Sequence, residues 1–485
     1  MSPADRFLYA FSAAFVAVVA LQLVVPILRR KSDVFTTWNL YLVGALIFSG
    51  LSGINATGHG HYLATYTFGD YQLYMLGAIG FHLSATLTYH FLRTPRRLAG
   101  RTLLAWPKLS GWVLVIITVG LTSVGALQRY PLPVPFIGQL LFQFGTVAPL
   151  LAFSCAFIAW YRDRSNPLLL TLMLGIGAFT VFMMLGVGSS RRYLAGALAV
   201  VPVSLYWIWL RYRSTPVTLC WIAAGVLIGL PVIKGYSAVR HTVRTEGGGS
   251  ARAMALLREM PSRIVSGGSS EGFMGQDSVE AALMTIHMLN DNSDRLRVEP
   301  FFTAKFILAN PIPRTFWPEK PVSLGIRLPE AAKLHKQGIQ ANLGVNVSGQ
   351  CFYDGGLWIH LLYGLIWGAF LRYYDELLVR QAGNPLLIGG LVAMAPQIIG
   401  FPRGGLETMG LQVFLGFIAV VLTNLIAKLV FGVGERYPRT DHIDDYPSMR
   451  SQADLARWLQ GYTAITTTAV RRYEEEEPAE RLGAA

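Results

Sequence analysis

Eleven apolar stretches alternate with short polar ones along this 485-residue chain, at 7–28, 38–54, 71–92, 109–127, 136–160, 168–187, 193–210, 217–233, 357–371, 385–401 and 409–431. Crossing a bilayer takes about 20 apolar residues, with roughly 17 to 25 the usual range, so the pattern predicts about eleven transmembrane helices. Lipid offers no water to unpaired backbone groups, which restricts such stretches to helices. One hydrophilic interruption is large, 235–356, and the chain after 431 is polar, with glutamates in a run at 474–477. The predicted fold is an all-α, polytopic membrane helix bundle in four parts. These are an N-terminal bundle of about eight spans (1–234), a large extracytoplasmic loop (235–356), about three C-terminal spans (357–431) and a partly disordered cytoplasmic tail (432–485). No internal repeat or separate soluble catalytic domain is evident.

Composition agrees, with 53% hydrophobic and 14% charged residues. The formal charge of +13 sits in short clusters beside apolar stretches rather than in one stripe, which excludes nucleic acid as a partner and makes the bilayer the expected one. Short cytoplasmic loops gather Lys and Arg. The Arg29-Arg30-Lys31 cluster, the five cations of 93–108, Arg162/Arg164, Arg211/Arg213 and Arg372/Arg380 fall on one alternate side, which is predicted to be cytoplasmic. The loop of His59 and His61, Arg129, the Ser189-Ser190-Arg191-Arg192 turn, the large loop and Arg403 then face the other compartment. Cys155 and Cys220 lie in apolar stretches and Cys351 is alone in the loop, so neither a disulfide framework nor a thiolate metal site is expected. The first stretch has no small-residue cleavage site and is read as a retained span.

Within the large loop, Met254, Leu257, Met260 and Ile264 recur at helical spacing, which predicts an amphipathic helix over 251–264 lying on the bilayer. After the Gly/Ser-rich stretch 266–275, Ser278 is predicted to cap a helix to Leu289, and 301–308 reads as a second apolar helix. The stretch 310–321 contains four prolines, which predicts a stiff, extended segment. It would hold Arg314 as a bidentate phosphate ligand and Lys320 as a point charge, with Trp317 or Phe316 against a sugar face. The same residues also suit an interfacial loop whose cations meet lipid headgroups.

The string Asn310-Pro311-Ile312-Pro313-Arg314-Thr315-Phe316-Trp317-Pro318-Glu319-Lys320-Pro321 resembles the Wzy-type O-antigen and oligosaccharide repeat-unit polymerases. So do Asn342-Leu343-Gly344 and Gly349-Gln350-Cys351-Phe352-Tyr353-Asp354-Gly355-Gly356, with Gly188 to Arg192 at an outer turn and Arg403-Gly404 after the penultimate span. Order and placement match over 168–431, and earlier spans match only in hydropathy. The resemblance implies a glycosyltransferase of the bacterial inner membrane that works at the periplasmic face without a cofactor. It would move a growing glycan from undecaprenyl diphosphate onto a new lipid-linked repeat unit, beside a chain-length regulator and a flippase of the same pathway. Relatives often carry a carboxylate before an aromatic pair where this chain reads Gln350-Cys351-Phe352-Tyr353, so no base transfers from there.

The chemistry can be stated without the resemblance. Breaking an anomeric bond to a diphosphate needs cations for the leaving group and a base for the acceptor hydroxyl. Arg191, Arg192, Arg314, Lys320 and Arg403 are the candidate diphosphate ligands, and an ion pair with Glu407 or Asp354 is the plainer alternative for the outer arginines. Asp354, Glu319 and Glu407 are the candidate catalytic carboxylates, with His335 behind them, while Trp317 and Tyr353 are candidates for sugar contact. His59 and His61 lack a third ligand at metal spacing, so no metal site is predicted. Gln139 and Gln143 share a helix face, and with Gln397 and His82 either line a cavity or bond neighbouring helices. The same motifs fit an O-antigen ligase, which differs in its acceptor, and a flippase of lipid-linked sugars is a third reading.

Overall fold

A computed structural model describes residues 3–29, 31–57, 66–101, 111–127, 135–187, 191–239, 249–265, 278–291, 295–334, 342–381 and 384–431. All regular structure among them is helical. The chain begins with α1 (Pro3–Leu28), α2 (Thr37–Ala56, with a π-helical turn at Leu46–Leu51), α3 (Phe68–Phe91), α4 (Arg93–Arg101) and α5 (Gly111–Leu127). It continues with α6 (Pro135–Phe144), α7 (Ala148–Arg162), α8 (Pro167–Val187), α9 (Arg191–Ile208) and α10 (Thr215–Val239). The region predicted as a loop holds α11 (Gly249–Val265), α12 (Ser278–Asn290), α13 (Phe302–Ala309), α14 (Leu324–Ala331) and α15 (Asn346–Gly355). Last come α16 (Leu357–Arg380), α17 (Pro385–Gly400) and α18 (Leu411–Phe431).

Local chemistry sets several boundaries. Thr67 and Asp70 form a reciprocal capping box that opens α3, and Asn384 accepts from the first amides of α17, where Pro385 lacks a donor to waste. Gly356, at φ 92°, separates α15 from α16. Asp375 of α16 caps a helix distant in sequence: its carboxylate accepts from Thr37 N at 2.7 Å, Trp38 N at 3.2 Å and Tyr89 Oη at 2.8 Å, closing the start of α2.

Helix α17 is the axis of the bundle, buried along nearly its whole length among α2, α7, α9 and α18. Helices α3 and α16 form the most extensive pair, and glycine lets them meet: a Cβ on Gly368 would stand 2.3 Å from Ala85 O. Close approach through small residues is how helices gain packing where lipid removes the usual hydrophobic drive. At one end of the bundle Arg211 grips Asp33 through two bonds, Nε to Oδ1 at 2.7 Å and Nη2 to Oδ2 at 2.9 Å.

Six helices are long and apolar enough to cross a membrane, or seven if one bent pair is a single span, consistent with a helical membrane protein. The other stretches among the predicted eleven are helical, in α3, α5, α9 and α16, without meeting that length and apolarity together. The stretch predicted as one span over 136–160 is instead broken at residues 145–147 and bent by 48° between α6 and α7. The stripe predicted for 251–264 also divides. Met260 and Ile264 pack toward α10 while Met254 and Leu257 are exposed, because the face formed by Ala253, Leu256 and Met260 docks on α8 and α10. Ser278 does not act as a cap, since its hydroxyl bonds Phe48 O at 2.8 Å and Ser52 Oγ at 3.0 Å. The tail 432–485, the stretch 266–275, His59, His61, Arg129, Ser189, Ser190 and His335 lie outside the described residues.

Candidate functional site

The site is built around the break between α17 and α18. After Gly400 the chain makes a 3-10 turn at Phe401–Arg403, anchored by Phe401 stacking on Trp367 with ring centroids 3.7 Å apart. Gly404 and Gly405 then reverse it at φ 104° and 76°, and a π-helical turn at Leu406–Gly410 leads into α18. A Cβ on Gly404 would fall 2.3 Å from Asn346 N, so this reversal needs glycine for its dihedral and for its contact with the start of α15.

The reversal gathers charged groups from distant segments. Arg403 lies across Gly344, where a Cβ would come within 2.8 Å of its Cγ. Arg192, from the first turn of α9, donates to Gln397 Oε1 at 2.9 Å and passes beside Gly400. Arg191, next to it, is half-buried. Glu407 is fully buried, and its Oε1 accepts from Leu324 N at 3.2 Å at the start of α14.

Asp354 lies in the last turn of α15 and is also fully buried. Its Oδ2 accepts from Thr303 N at 3.0 Å and from Tyr363 Oη at 2.7 Å. Gln350 completes the cluster by donating to Thr303 Oγ1 at 3.1 Å. Burial holds the Asp354 carboxyl above its ordinary value of 3.8, partly offset by Tyr363 and Thr303, and burial likewise raises the Cys351 thiol. Asp354 and Glu407 are within electrostatic reach of each other. Each leaves one oxygen, Asp354 Oδ1 and Glu407 Oε2, without a hydrogen-bond partner among the described residues, as does Gln350 Oε1. Buried acceptors are normally paired, so three orphans in neighbouring segments mark this region as prepared for a donor, a ligand or a proton.

The proline-rich segment is not extended. Its amides make successive turns, with Phe316 N and Trp317 N on Pro313 O at 3.1 and 3.2 Å and Lys320 N on Trp317 O at 3.1 Å. The fixed proline φ that predicted stiffness also suits the second position of a turn, and Pro318 fills that position between Trp317 and Lys320. The Lys320 ammonium binds Asn310 O at 2.5 Å and Ile312 O at 3.1 Å, and burial and the nearby Arg314 charge lower its pKa. Arg314 Nη1 donates to Pro318 O at 3.2 Å and Lys320 O at 3.1 Å. Both cations therefore tie the loop to itself. Gln143 anchors the loop's start through Asn310 Oδ1 at 2.7 Å, and Gln139 reaches Asn310 O at 3.4 Å. Glu319, Phe316 and Trp317 project outward, exposed, and Glu319 is not drawn into the carboxylate cluster.

Tyr353 points away from Asp354. Its hydroxyl joins Arg327 Nη1 at 2.8 Å and Glu299 Oε2 at 3.1 Å, and burial pushes its pKa up to about 12. It lines a cleft of about 660 Å³ that also presents Arg295, Arg297, Arg327, Lys333 and Glu299. This cleft, Thr303 and Tyr363 carry no signal in the sequence, because nothing local pairs residues so placed. His82 bonds Tyr41 Oη at 3.2 Å and Gln22 Oε1 at 3.0 Å, a helix-to-helix role. Among the described residues no three His, Cys, Asp or Glu side chains are grouped to hold a metal ion. No family model, curated protein or solved structure matches this chain.

Proposed function

We propose that this protein polymerises lipid-linked oligosaccharide repeat units by transferring a glycan from undecaprenyl diphosphate to a hydroxyl of an acceptor unit, at the periplasmic face of a bacterial inner membrane. In the transfer a new anomeric C–O bond forms to the acceptor oxygen and the anomeric bond to the diphosphate breaks, its electron pair leaving with the phosphate. Arg403 and Arg192, with Arg191 beside them, neutralise that leaving group. Asp354 takes the proton of the acceptor hydroxyl, and burial that raises its pKa moves it toward the range in which a general base is efficient. Glu407 shares the site as a second carboxylate. Arg314 and Lys320 hold the proline-rich loop in shape.

The observation that carries the reading is a pair of buried carboxylates within electrostatic reach of each other, each with one oxygen unpartnered among the described residues, Glu407 standing in the same α17–α18 break that bears Arg403. The motif resemblance supports the same assignment. A ligase would use the same donor geometry with another acceptor, and a flippase would move the lipid without transfer. The purified protein, reconstituted in vesicles with a defined lipid-diphosphate oligosaccharide, separates these. A product ladder that disappears in Arg403→Ala supports polymerisation. Single transfer to a foreign acceptor, or translocation alone, refutes it.

A further inference from the structure

Helix α9 is 18 residues long, so its two ends lie about 27 Å apart. Arg191 and Arg192 of the proposed glycan site stand at its start. Near its other end, a different feature opens on the flank of the bundle. Helices α8 and α10 both pack against α9 and α11, and they leave between them a hollow of about 1190 Å³. Its walls are apolar: Phe153 and Phe157 of α7, Met173, Ala178 and Phe182 of α8, and Leu205 of α9. From Met173 to Phe182 the wall runs about 13 Å along α8, and Leu257 of α11 lines it as well.

The mouth near the end of α9 has a different chemistry. Trp160, Tyr161, Trp209 and Trp221 ring it, together with Arg164 and Arg213, both exposed. The Arg164 guanidinium lies 4.0 Å over the Tyr161 ring and that of Arg213 lies 4.8 Å over the Trp209 ring. Stacking fixes each guanidinium by its face and leaves its edge donors available for an anion. Asp163, beside Arg164 in sequence, and Asp33, bound to Arg211 two residues before Arg213, are otherwise engaged. Asp163 accepts from Ser165 at 2.9 Å and Asn166 at 3.3 Å, and Asp33 is held by Arg211. Trp and Tyr are the side chains that settle at headgroup depth.

We propose that this hollow is a binding site for one anionic phospholipid, its phosphate held between Arg164 and Arg213 and one acyl chain laid along α8. The occupant is inferred from complementarity. A long apolar channel excludes a free phosphate as its filling, and two cations at only one end exclude a plain hydrocarbon as the best fit. A bound lipid of this kind would brace α8 against α10, two helices that share neighbours while leaving space between themselves. The proposal is independent of the glycan reading, because the sites stand at opposite ends of α9.

The test uses the full chain, purified in detergent, stripped of lipid and titrated with dioleoyl phosphatidylglycerol or dioleoyl phosphatidylcholine. Native mass spectrometry counts retained lipids and thermal unfolding reads their effect. One phosphatidylglycerol per chain is expected, bound roughly 30-fold more tightly than phosphatidylcholine, as two basic contacts predict. The double variant Arg164→Ala/Arg213→Ala should lose that preference, with unchanged helix content and lipid-free stability showing that it folds. Ala178→Trp, which fills the channel from an exposed position on α8, should abolish retention of both lipids. Equal retention of the two lipids by the natural chain, an unaffected arginine variant, or a dimer that covers Ala178 in place of lipid would each overturn the proposal.

Discussion

Replacing Asp354 in two ways separates what its carboxylate holds from what it does. Its Oδ2 serves two buried donors, Thr303 N and Tyr363 Oη. Asp354→Ala strands both, at about 1–3 kcal/mol for each buried donor left unpaired, or about 2–6 kcal/mol together. Asp354→Asn keeps a carbonyl oxygen for the same two donors and removes only the charge, so its stability should stay near that of the natural chain. If Asp354 is the base, the Asn variant nonetheless loses turnover by about 10²–10⁴-fold, the range a general base contributes. Both variants would be compared in lipid nanodiscs, by thermal unfolding and by the ladder assay with a defined repeat unit. The pH dependence has a fixed sign. A carboxyl whose folded pKa is raised above 3.8 contributes stability that is full below that value and is lost as pH rises through the raised value. The stability of the natural chain relative to Asp354→Asn should therefore fall as pH rises above 3.8. An Asn variant with natural turnover refutes the catalytic role, and an Ala variant as stable as the natural chain refutes the hydrogen-bond argument.

Arg403→Ala should lower turnover by about 10²-fold or more while folded protein persists in the membrane, whereas Arg314→Ala, which loses bonds only within its own loop, should lower it less. Equal losses in the ladder assay would return Arg314 to the phosphate site. Gly404→Ala forces a side chain onto a backbone at φ 104° and into Asn346 N, and should cost at least about 1–3 kcal/mol, read as reduced folded yield. Lys320→Met removes two charge-assisted bonds of about 1.5–3 kcal/mol each, so amide exchange across 310–321 should accelerate at least about tenfold, and unchanged exchange would contradict the loop-tying role.

The apolar stretches were legible as helices because a lipid-facing segment announces itself locally, by composition over about 20 residues. Interruptions were less so. The bend between α6 and α7 lies inside a predominantly apolar run, where Gly145 and Pro149 are the hints of it. Its four prolines make the 310–321 loop read as stiff and extended, but its turns depend on Lys320 finding two carbonyls eight and ten residues back, which composition does not reveal. Residue type and position are enough to single out Asp354 and Glu407. Their burial is not readable, since Glu407 is covered where the α17–α18 break meets the start of α14, 83 residues earlier, and Asp354 where α15 meets Thr303 of α13 and Tyr363 of α16. The Arg327, Glu299 and Tyr353 cluster has no local signature for the same reason, its members being 26 to 54 residues apart.

The Asp375 cap on α2 carries a consequence for biogenesis. The amide of Thr37 meets its acceptor 338 residues later in the chain. At a synthesis rate of about 5–20 residues per second, the opening turn of α2 waits roughly 20 to 70 s after leaving the ribosome before that acceptor exists. During that interval its first amides must find water, headgroups or an insertion chaperone. A ribosome stalled short of Asp375 would release a product whose second helix remains open at its beginning, a local flaw by which membrane proteases could tell a half-made chain from a finished one.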